Sequence, residues 1–533
     1  MRVMGINPYH DSSVAVYSEE GIELFFKEER LTGHKRDSYP YTSIKTCMMY
    51  LKGPIDKCVI ASPTNKKRTE ITDTFLKKLI CPTVIDISDQ HHLQHASLAF
   101  YNSGFEESLV VVIDREGSFI YDSDGNEARE AESVFVASYP HTFKPIIKNY
   151  WSNSNFKSDI NNYETNIYDI TNITKVYESA TILIGQHPLE NGKTMGLSSY
   201  GDKKVVNKLF PNKNYFKDLK HSFSDNIKVS TNLELKDSIV NDCNDITDIH
   251  KNYAFQVQQE TQEQVLSLIK KAIAKTGIKK VCVTGGYGLN VVCNGFLSKE
   301  LKDVDFYFEP IADDTGNSIG SAMLLYRQAT NDKKIKKLKN TFFHGVKSDL
   351  TELTDGIDIT VEEIVDYIID QKSVAVFNGL AEAGPRALGN RSILFDARNK
   401  NAKDLVNKIK NREWYRPFAA IVLEEDAHLY FDLGNVKKNE YMTQSFDVVV
   451  DTIPGVTHVD NTCRIQTVNK NNKSLYKLLK LFKEKTGCSV LLNTSFNLAG
   501  MPLVETPTHA KQTLLNSTLD YVWFPEVNKI WVK

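Results

Sequence analysis

Apolar residues in this chain follow two spacings that alternate along its length. Short runs rich in β-branched residues, "RVMGINP" near the start, "SLVVVID" (108–114) and "KKVCVTGG" (279–286), each end in a glycine, proline or aspartate turn and predict buried strands. Between them, apolar positions recur every three or four residues. Over 253–276, Phe255, Val265, Leu266, Ile269 and Ile273 share one face and Gly277 supplies a stop, which predicts an amphipathic helix. A helix is expected after "VTGGYGLN", then a strand at "VDFYFEP", then a polar loop and helix in "DDTGNSIGSAMLLYR". Repetition of strand, polar loop and helix predicts α/β layers. The lysine-rich run "NDKKIKKLKN" (331–340) has little to bury and reads as a solvated linker or exposed helix, with a nucleic-acid contact as the lesser alternative. Past about residue 345 the pattern resumes. "SVAVFNG", "AAIVLEE", "SVLLNTSFN" and "YVWF" predict strands, and "NKSLYKLLKLFKEKTG" predicts an amphipathic helix closed by Gly487. Two domains are therefore expected, 1–345 and 346–533, and no internal repeat is visible.

At 533 residues the chain is too long for a single core, which agrees with that division. A formal net charge of −2 gives no overall field toward DNA or an anionic membrane, so any anion recognition has to be local. Eight cysteines (47, 58, 81, 243, 282, 293, 463 and 488) include no C-x-x-C pair, and reduced, buried thiols are expected rather than zinc or redox sites. "MRVMGINPYHDSS" meets His10 and Asp11 too early for a signal peptide, and no stretch approaches a membrane span. A cytoplasmic location is expected.

Local anion recognition has an obvious candidate. "AEAGPRALGNRSILFDAR" (381–398) sets Arg386, Arg391 and Arg398 on backbone bent by Gly384 and Gly389, beside a segment apolar enough to be buried. In the first half, "HHLQHASLAF" (91–100) reads as a helix with His91 and His95 on one face and His92 pointing elsewhere. Such a pair is either helix surface or half of a metal site. Asp114 ends an apolar strand, and Asp313 and Asp314 sit where a strand meets a glycine loop, the positions that open into ligand crevices of α/β proteins. Two histidines and two aspartates would suit Fe2+, Mn2+ or Zn2+. "TGGYGLN" (284–290) is either a nucleotide-binding turn or only a tight one, and "NPYHDSS" (7–13) carries either a base, His10, or an ordinary capped turn.

Taken in order, "GINPYHDSS", "HHLQH" with Asp114, "NGKTMGLSSYG", "VTGGYGLN", "DDTGNSIGSA", "GPRALGNRSIL", "KNREWYRPFAA", "HVDNTCRIQTV", "TGCSVLLNTSFN" and "MPLVETPTHA" span nearly the whole chain. Together they resemble the O-carbamoyltransferases, the group that includes the nodulation-factor and tobramycin carbamoyltransferases. The resemblance implies an N-terminal domain of the actin/sugar-kinase (duplicated RNase H-like) class and a C-terminal YrdC-like α/β domain. It implies that the C-terminal site makes carbamoyl adenylate from carbamoyl phosphate and ATP, with Mg2+ accompanying the ATP. The N-terminal site would then pass the carbamoyl group to a hydroxyl beside a divalent metal, Fe2+ before Mn2+ or Zn2+. The implied metal ligands are His91, His95, Asp114 and Asp314, and the implied nucleotide contacts there are Lys193, Gly196, Gly285, Gly286, Asn290 and Asp313. Three positions depart from the family pattern: Arg115 and Glu116 precede Gly117 where glycine usually follows the aspartate, Asn461 replaces a glycine, and Ala383 replaces a bulkier residue.

With that resemblance the second half reads as a set of anion ligands. Arg386, Arg391, Lys410, Arg412, Arg416, His458, Asp460 and Arg464 would bind the two phosphorylated reagents, with Arg386, Lys410 and Arg416 taking part in catalysis. Forked guanidinium groups bind phosphate oxygens in pairs and spread the charge that builds as pyrophosphate leaves. Asn493, Thr494, Ser495 and Asn497 would orient the carbamoyl group through neutral hydrogen bonds. Carbamoyl phosphate is labile in water, so activation calls for a closed cavity, and the adenylate is expected to travel inside the protein. An acceptor hydroxyl is a poor nucleophile, and His10 is the candidate base. Sugars, antibiotics and hydroxymethylated nucleotides all remain open as acceptors. No membrane or nucleic-acid partner is expected, and the chain would be a monomer or homodimer. Two rival readings stand beside this one: a small-molecule kinase of the actin-like class, and an RNA-binding module related to tRNA modification.

Overall fold

The computed structural model describes every residue except 62–65, 153–155, 158–161, 170–172, 203–218, 221–227, 230–244, 336–341, 352 and 354. Cys243 and the end of the lysine run therefore lie outside the described residues. The chain divides into two compact units. One comprises Met1–Leu24, Ser38–Pro40 and Cys47–Lys339, and the other Phe25–Asp37, Tyr41–Thr46 and Asn340–Lys533.

In the first unit the strands predicted from unbroken apolar runs form the centres of two sheets. Val3–Asn7 pairs antiparallel with Ser13–Ser18, beyond which lies Gly21–Lys27. On its other side it pairs parallel with Lys57–Ile60, followed by Val84–Asp86. The second sheet repeats this plan. Glu107–Ile113 pairs antiparallel with Glu127–Ser138, which pairs with Thr142–Ser152, and parallel with Lys280–Thr284, which pairs with Asp305–Phe308. Glu164–Asp169 extends the outer edge. The duplication lies in strand order and direction, which is why the sequence shows no repeat, and it is the duplicated RNase H-like plan that the resemblance implied.

Helices cover these sheets. Asp248–Thr276 ends at Gly277, whose φ of 75° lets its N–H bond the Ile273 carbonyl, and its apolar face packs with Leu109, Val111, Val281 and Val283. Helices His91–Ser103 and Asn317–Thr330 pack closely because Gly320 has no side chain. A Cβ there would lie 2.2 Å from the Gln94 carbonyl oxygen.

The second unit is built on a mixed sheet in the order Ile357–Asp358, Lys529–Val532, Tyr521–Phe524, Val374–Phe377, Arg391–Asp396, Val490–Ser495, Ala419–Leu423, Thr462–Val468, Ser445–Val448 and Phe431–Asp432. All four strands predicted past residue 345 are present. The helix Lys473–Thr486 closes at Gly487, with φ of 74°, and buries Leu475, Leu478, Leu479 and Phe482 against the sheet. The seven described cysteines are all free and buried. No helix among the described residues is long and apolar enough to cross a membrane.

Candidate functional site

In the first unit, the ends of the central strands converge. His91 and His95 begin the helix His91–Ser103, Asp114 follows the strand Glu107–Ile113, and Asp314 opens the turn before Asn317–Thr330. All four side chains are buried or nearly so, and one ligand atom from each lies within 4.8 Å of the others. His91 Nε2 is 3.1 Å from Asp114 Oδ2 and 3.6 Å from Asp314 Oδ1. His95 Nε2 is 3.3 Å from Asp314 Oδ1 and 3.2 Å from His91 Nε2.

These separations are those of donors placed about 2.1 Å from a shared centre, and the nitrogen and oxygen donors suit a divalent first-row cation. Burial opposes charge on Asp114, but the hydrogen bond from His91 and the nearby imidazoles outweigh it and hold the carboxyl well below its usual range. Asp314 is held down by His91 and His95 against the same opposition. His92, as expected, points elsewhere: its Nδ1 meets Ser133 Oγ at 2.7 Å, and burial drives its pKa down to about 4.

The backbone fixes the constellation. Gly286 N–H donates to Asp114 Oδ1 at 2.9 Å, and Thr174 Oγ1 donates to the Asp114 carbonyl at 2.8 Å. Gly285 adopts φ of 84°, and a Cβ there would lie 2.4 Å from the Ile113 carbonyl oxygen, so only glycine fits the turn. Asn7 Nδ2 donates to the Asp314 carbonyl at 3.1 Å, joining the end of the first sheet to the group.

Other first-unit candidates have more local occupations. Asn290 Oδ1 caps the helix Val291–Glu300 through Cys293 N–H, and its amide donates to Gln258, so its side chain takes part in the fold. Lys193 Nζ is 2.8 Å from both Glu190 and Gln186, Gly196 is buried within the helix Asn191–Ser198, and Asp313 accepts from Thr315 Oγ1. His10 lies between Asp11 and Asp314, with Nδ1 3.2 Å from Asp11 and Nε2 3.5 Å from Asp314. Burial alone would lower its pKa, yet the Asp11 hydrogen bond and the surrounding carboxylates raise it to about 9. Arg115 pairs with Glu178 at 2.6 Å, while Glu116 pairs with Lys175 and Arg129, so the residues inserted after Asp114 form a charged network.

In the second unit, Ser392 pairs with Ser495, Asn493 with Ala419, and Ala419 with Arg464 across adjacent strands. The polar segments flanking those positions are thereby gathered along one end of the sheet. Lys410, at the end of the helix Ala402–Lys410, is buried and its Nζ meets the Ser495 carbonyl, Ser495 Oγ at 3.2 Å, and the Asn497 carbonyl and Oδ1 at 2.8 and 2.9 Å. It organises the "NTSFN" turn. Asn493 Nδ2 donates to the Ala387 carbonyl at 3.2 Å, Ser495 Oγ to Asn497 Oδ1 at 2.6 Å, and Asp460 Oδ1 accepts from Thr462. His458 is buried, and Asn461 takes φ of 65°, a left-handed conformation that asparagine and glycine tolerate.

The cations divide into two groups. Arg391 is fully buried, and its terminal nitrogens donate to the carbonyls of Asn378, Asn390, Gly379 and Glu505 over the ring of Phe377. With those N–H groups engaged it holds the loop together. Arg412 likewise donates to Asn407 Oδ1 and the Pro417 carbonyl. Arg386 and Arg416 are only partly buried, Arg416 lying 3.3 Å from Glu413. Arg464 Nε is buried without a partner. Burial first, then the positive charges of Arg416 and its neighbours, lower Arg412 and Lys410 well below their usual values and bring Arg464 down to about 10.

Comparison with known proteins agrees with this two-part layout. The family model described as Carbamoyltransferase N-terminus matches residues 54–323, and that described as Carbamoyltransferase C-terminus matches residues 365–530. Nodulation protein NolNO of Sinorhizobium fredii is 30% identical, over 81% of this chain and 62% of that protein, so the chain spans less than two thirds of that relative. MJ1051 of Methanocaldococcus jannaschii is 30% identical over 97% of each. Among solved structures, full-length HypF in its phosphate- and nucleotide-bound form aligns with a TM-score of 0.35 at 13% identity, over 62% of this chain and 56% of that one, too distant to carry weight. On the two matched models and these relatives, the chain belongs to the carbamoyltransferase family and is a transferase enzyme.

Proposed function

We propose that the chain is an ATP-dependent O-carbamoyltransferase that activates a carbamoyl group in a YrdC-like C-terminal domain, residues 346–533, and transfers it in the N-terminal domain, residues 1–345. The observation that carries the reading is the cation group of Lys410, Arg412 and Arg464, set together away from water beside the partly exposed Arg416. Desolvated like charges destabilise one another unless an anion joins them. A triphosphate beside carbamoyl phosphate is such an anion. Hydrolysis of carbamoyl phosphate gives carbamate and phosphate, and attack of a carbamate oxygen on the α-phosphorus of ATP gives carbamoyl adenylate and releases pyrophosphate.

Within this scheme Arg386, Arg416 and Arg464 contact the phosphoryl oxygens. Lys410 contributes positive potential while fixing Ser495 and Asn497, which orient the carbamoyl group. Arg391 and Arg412 support the loops. In the N-terminal domain His91, His95, Asp114 and Asp314 would hold a divalent cation, Fe2+ before Mn2+ or Zn2+. When bound it supplies Lewis acidity toward a carbonyl oxygen. The Gly285–Gly286 turn, tied to Asp114 through the Gly286 N–H, borders the same crevice, where the nucleotide handle would lie. The acceptor is a hydroxyl on a small molecule, which takes the carbamoyl group as AMP and a proton leave.

The test is incubation of purified protein with ATP, Mg2+, carbamoyl phosphate and a panel of hydroxylated metabolites and nucleotides. Mass spectrometry should find AMP and a product heavier by one carbamoyl group. A product carrying phosphate, with ADP instead of AMP, would overturn the reading.

A further inference from the structure

Residues 25–46 precede both matched family regions in the chain, yet most of them belong to the C-terminal unit. Besides the ring contact of Phe25 with His344, they reach the arginine-bearing loop. Arg30, on the short helix Glu28–Thr32, is buried, and its guanidinium donates to the carbonyl of Glu382 and, at 2.9 Å, to the carbonyl of Gly384. Arg386 follows two residues later.

The loop is otherwise tied from within. Glu382 Oε1 accepts the backbone N–H groups of Leu388, Asn390 and Arg391 at 2.7, 2.9 and 3.1 Å. Arg391 binds the carbonyls at both flanks, as described above. Ala383 N–H donates to the Phe342 carbonyl, and His344 N–H to that of Ala381. The carbonyls of Glu382 and Gly384, in the middle of the bend, take their side-chain donor from Arg30. A buried carbonyl that loses its donor is left unsatisfied, which favours a different loop conformation.

Arg30 is itself held firmly. Glu28 accepts the N–H groups of Thr42 and Ser43 at 2.8 and 2.6 Å, and Glu29 accepts that of Arg36 at 3.0 Å, so the segment is a closed bracket around the short helix. A rigid supporting residue of this kind sets the aim of the ligand it supports.

We propose that Arg30 is a positioning residue of the C-terminal anion site. It touches no substrate, and it fixes the Glu382–Gly384 backbone so that Arg386 presents its guanidinium to the phosphorylated reagent. This inference rests on the assignment of Arg386 as a phosphate ligand.

The test uses the full chain as parent, Arg30→Ala, Arg30→Lys and Arg386→Ala, with hydrogen exchange of the 380–392 amides and steady-state pyrophosphate release as readouts. Arg30→Ala should speed exchange in 380–392 and raise KM for carbamoyl phosphate about tenfold to a hundredfold, with metal content unchanged. Arg30→Lys, able to reach one carbonyl, should fall between parent and alanine variant, and it serves alone if the alanine variant does not fold. Parent-like exchange and KM in whichever variant folds would overturn the proposal, as would faster exchange with unaltered KM. If Arg386→Ala also leaves KM unaltered, the assignment of the anion site fails, an outcome distinct from failure at Arg30 alone.

Discussion

Replacing Arg464 with methionine should stabilise the ligand-free protein while weakening its hold on the phosphorylated substrates. The guanidinium is brought from its ordinary value of 12.5 down to about 10, by burial first and by Arg416 second. That difference corresponds to roughly 3 kcal/mol of penalty for carrying the charge in the folded state. Imperfect replacement of the buried side chain offsets part of the relief, leaving about 1–2 kcal/mol of net stabilisation. For a domain of this size the melting transition should rise by about 2–6 °C in scanning calorimetry. Binding moves in the opposite sense. Loss of charge-assisted hydrogen bonds to phosphoryl oxygens, about 1.5–3 kcal/mol, should weaken ATP or carbamoyl phosphate by roughly 10- to 150-fold in titration calorimetry. A lower Tm with unaltered affinity would refute the reasoning, because it would mean that Arg464 is held by a structural partner and awaits no ligand.

Other consequences can be checked separately. Asp314→Asn should lower the affinity for Fe2+ at least about 100-fold, read by metal analysis after dialysis, because it removes one of two carboxylates from the group. Glu132 is fully buried, and burial lifts its carboxyl to about 7 despite hydrogen bonds from Asn149 and Ile173. The folded state therefore keeps a proton that the unfolded chain loses above 4.5, so stability should be full below that pH and fall by about 3 kcal/mol as pH climbs to 7. Glu132→Gln should flatten that stretch of the urea-denaturation profile. Gly285→Ala should cost about 1–3 kcal/mol and displace the Gly286 amide from Asp114, so that thermal stability and metal retention fall together.

The sequence carried most of the framework because its strands are continuous apolar runs and its helices end at glycines that take the left-handed conformation, Gly277 and Gly487. His91 and His95 could be picked out by their spacing on one helix face, and Asp114 and the pair Asp313–Asp314 by their place where strands end, but the choice of Asp314 came only with the family resemblance. The duplicated sheets were not legible as a repeat, since strand order and direction recur while the residues do not. Arg391 and Arg386 look alike in the chain, five residues apart on the same glycine-bent stretch. Only the depth of the strand Arg391–Asp396 separates a guanidinium bound to four carbonyls from one that is partly accessible. Arg30 and Glu382 gave no local signal either, because a loop tied by a residue some 350 positions away appears only when the chain is folded.

The most direct test of the account is exchange of labelled pyrophosphate into ATP without any acceptor. Exchange should require carbamoyl phosphate and Mg2+, be lost in Arg386→Ala and Arg416→Ala, and persist in Asp314→Asn. Exchange that ignores carbamoyl phosphate, or that survives both arginine substitutions, would contradict it.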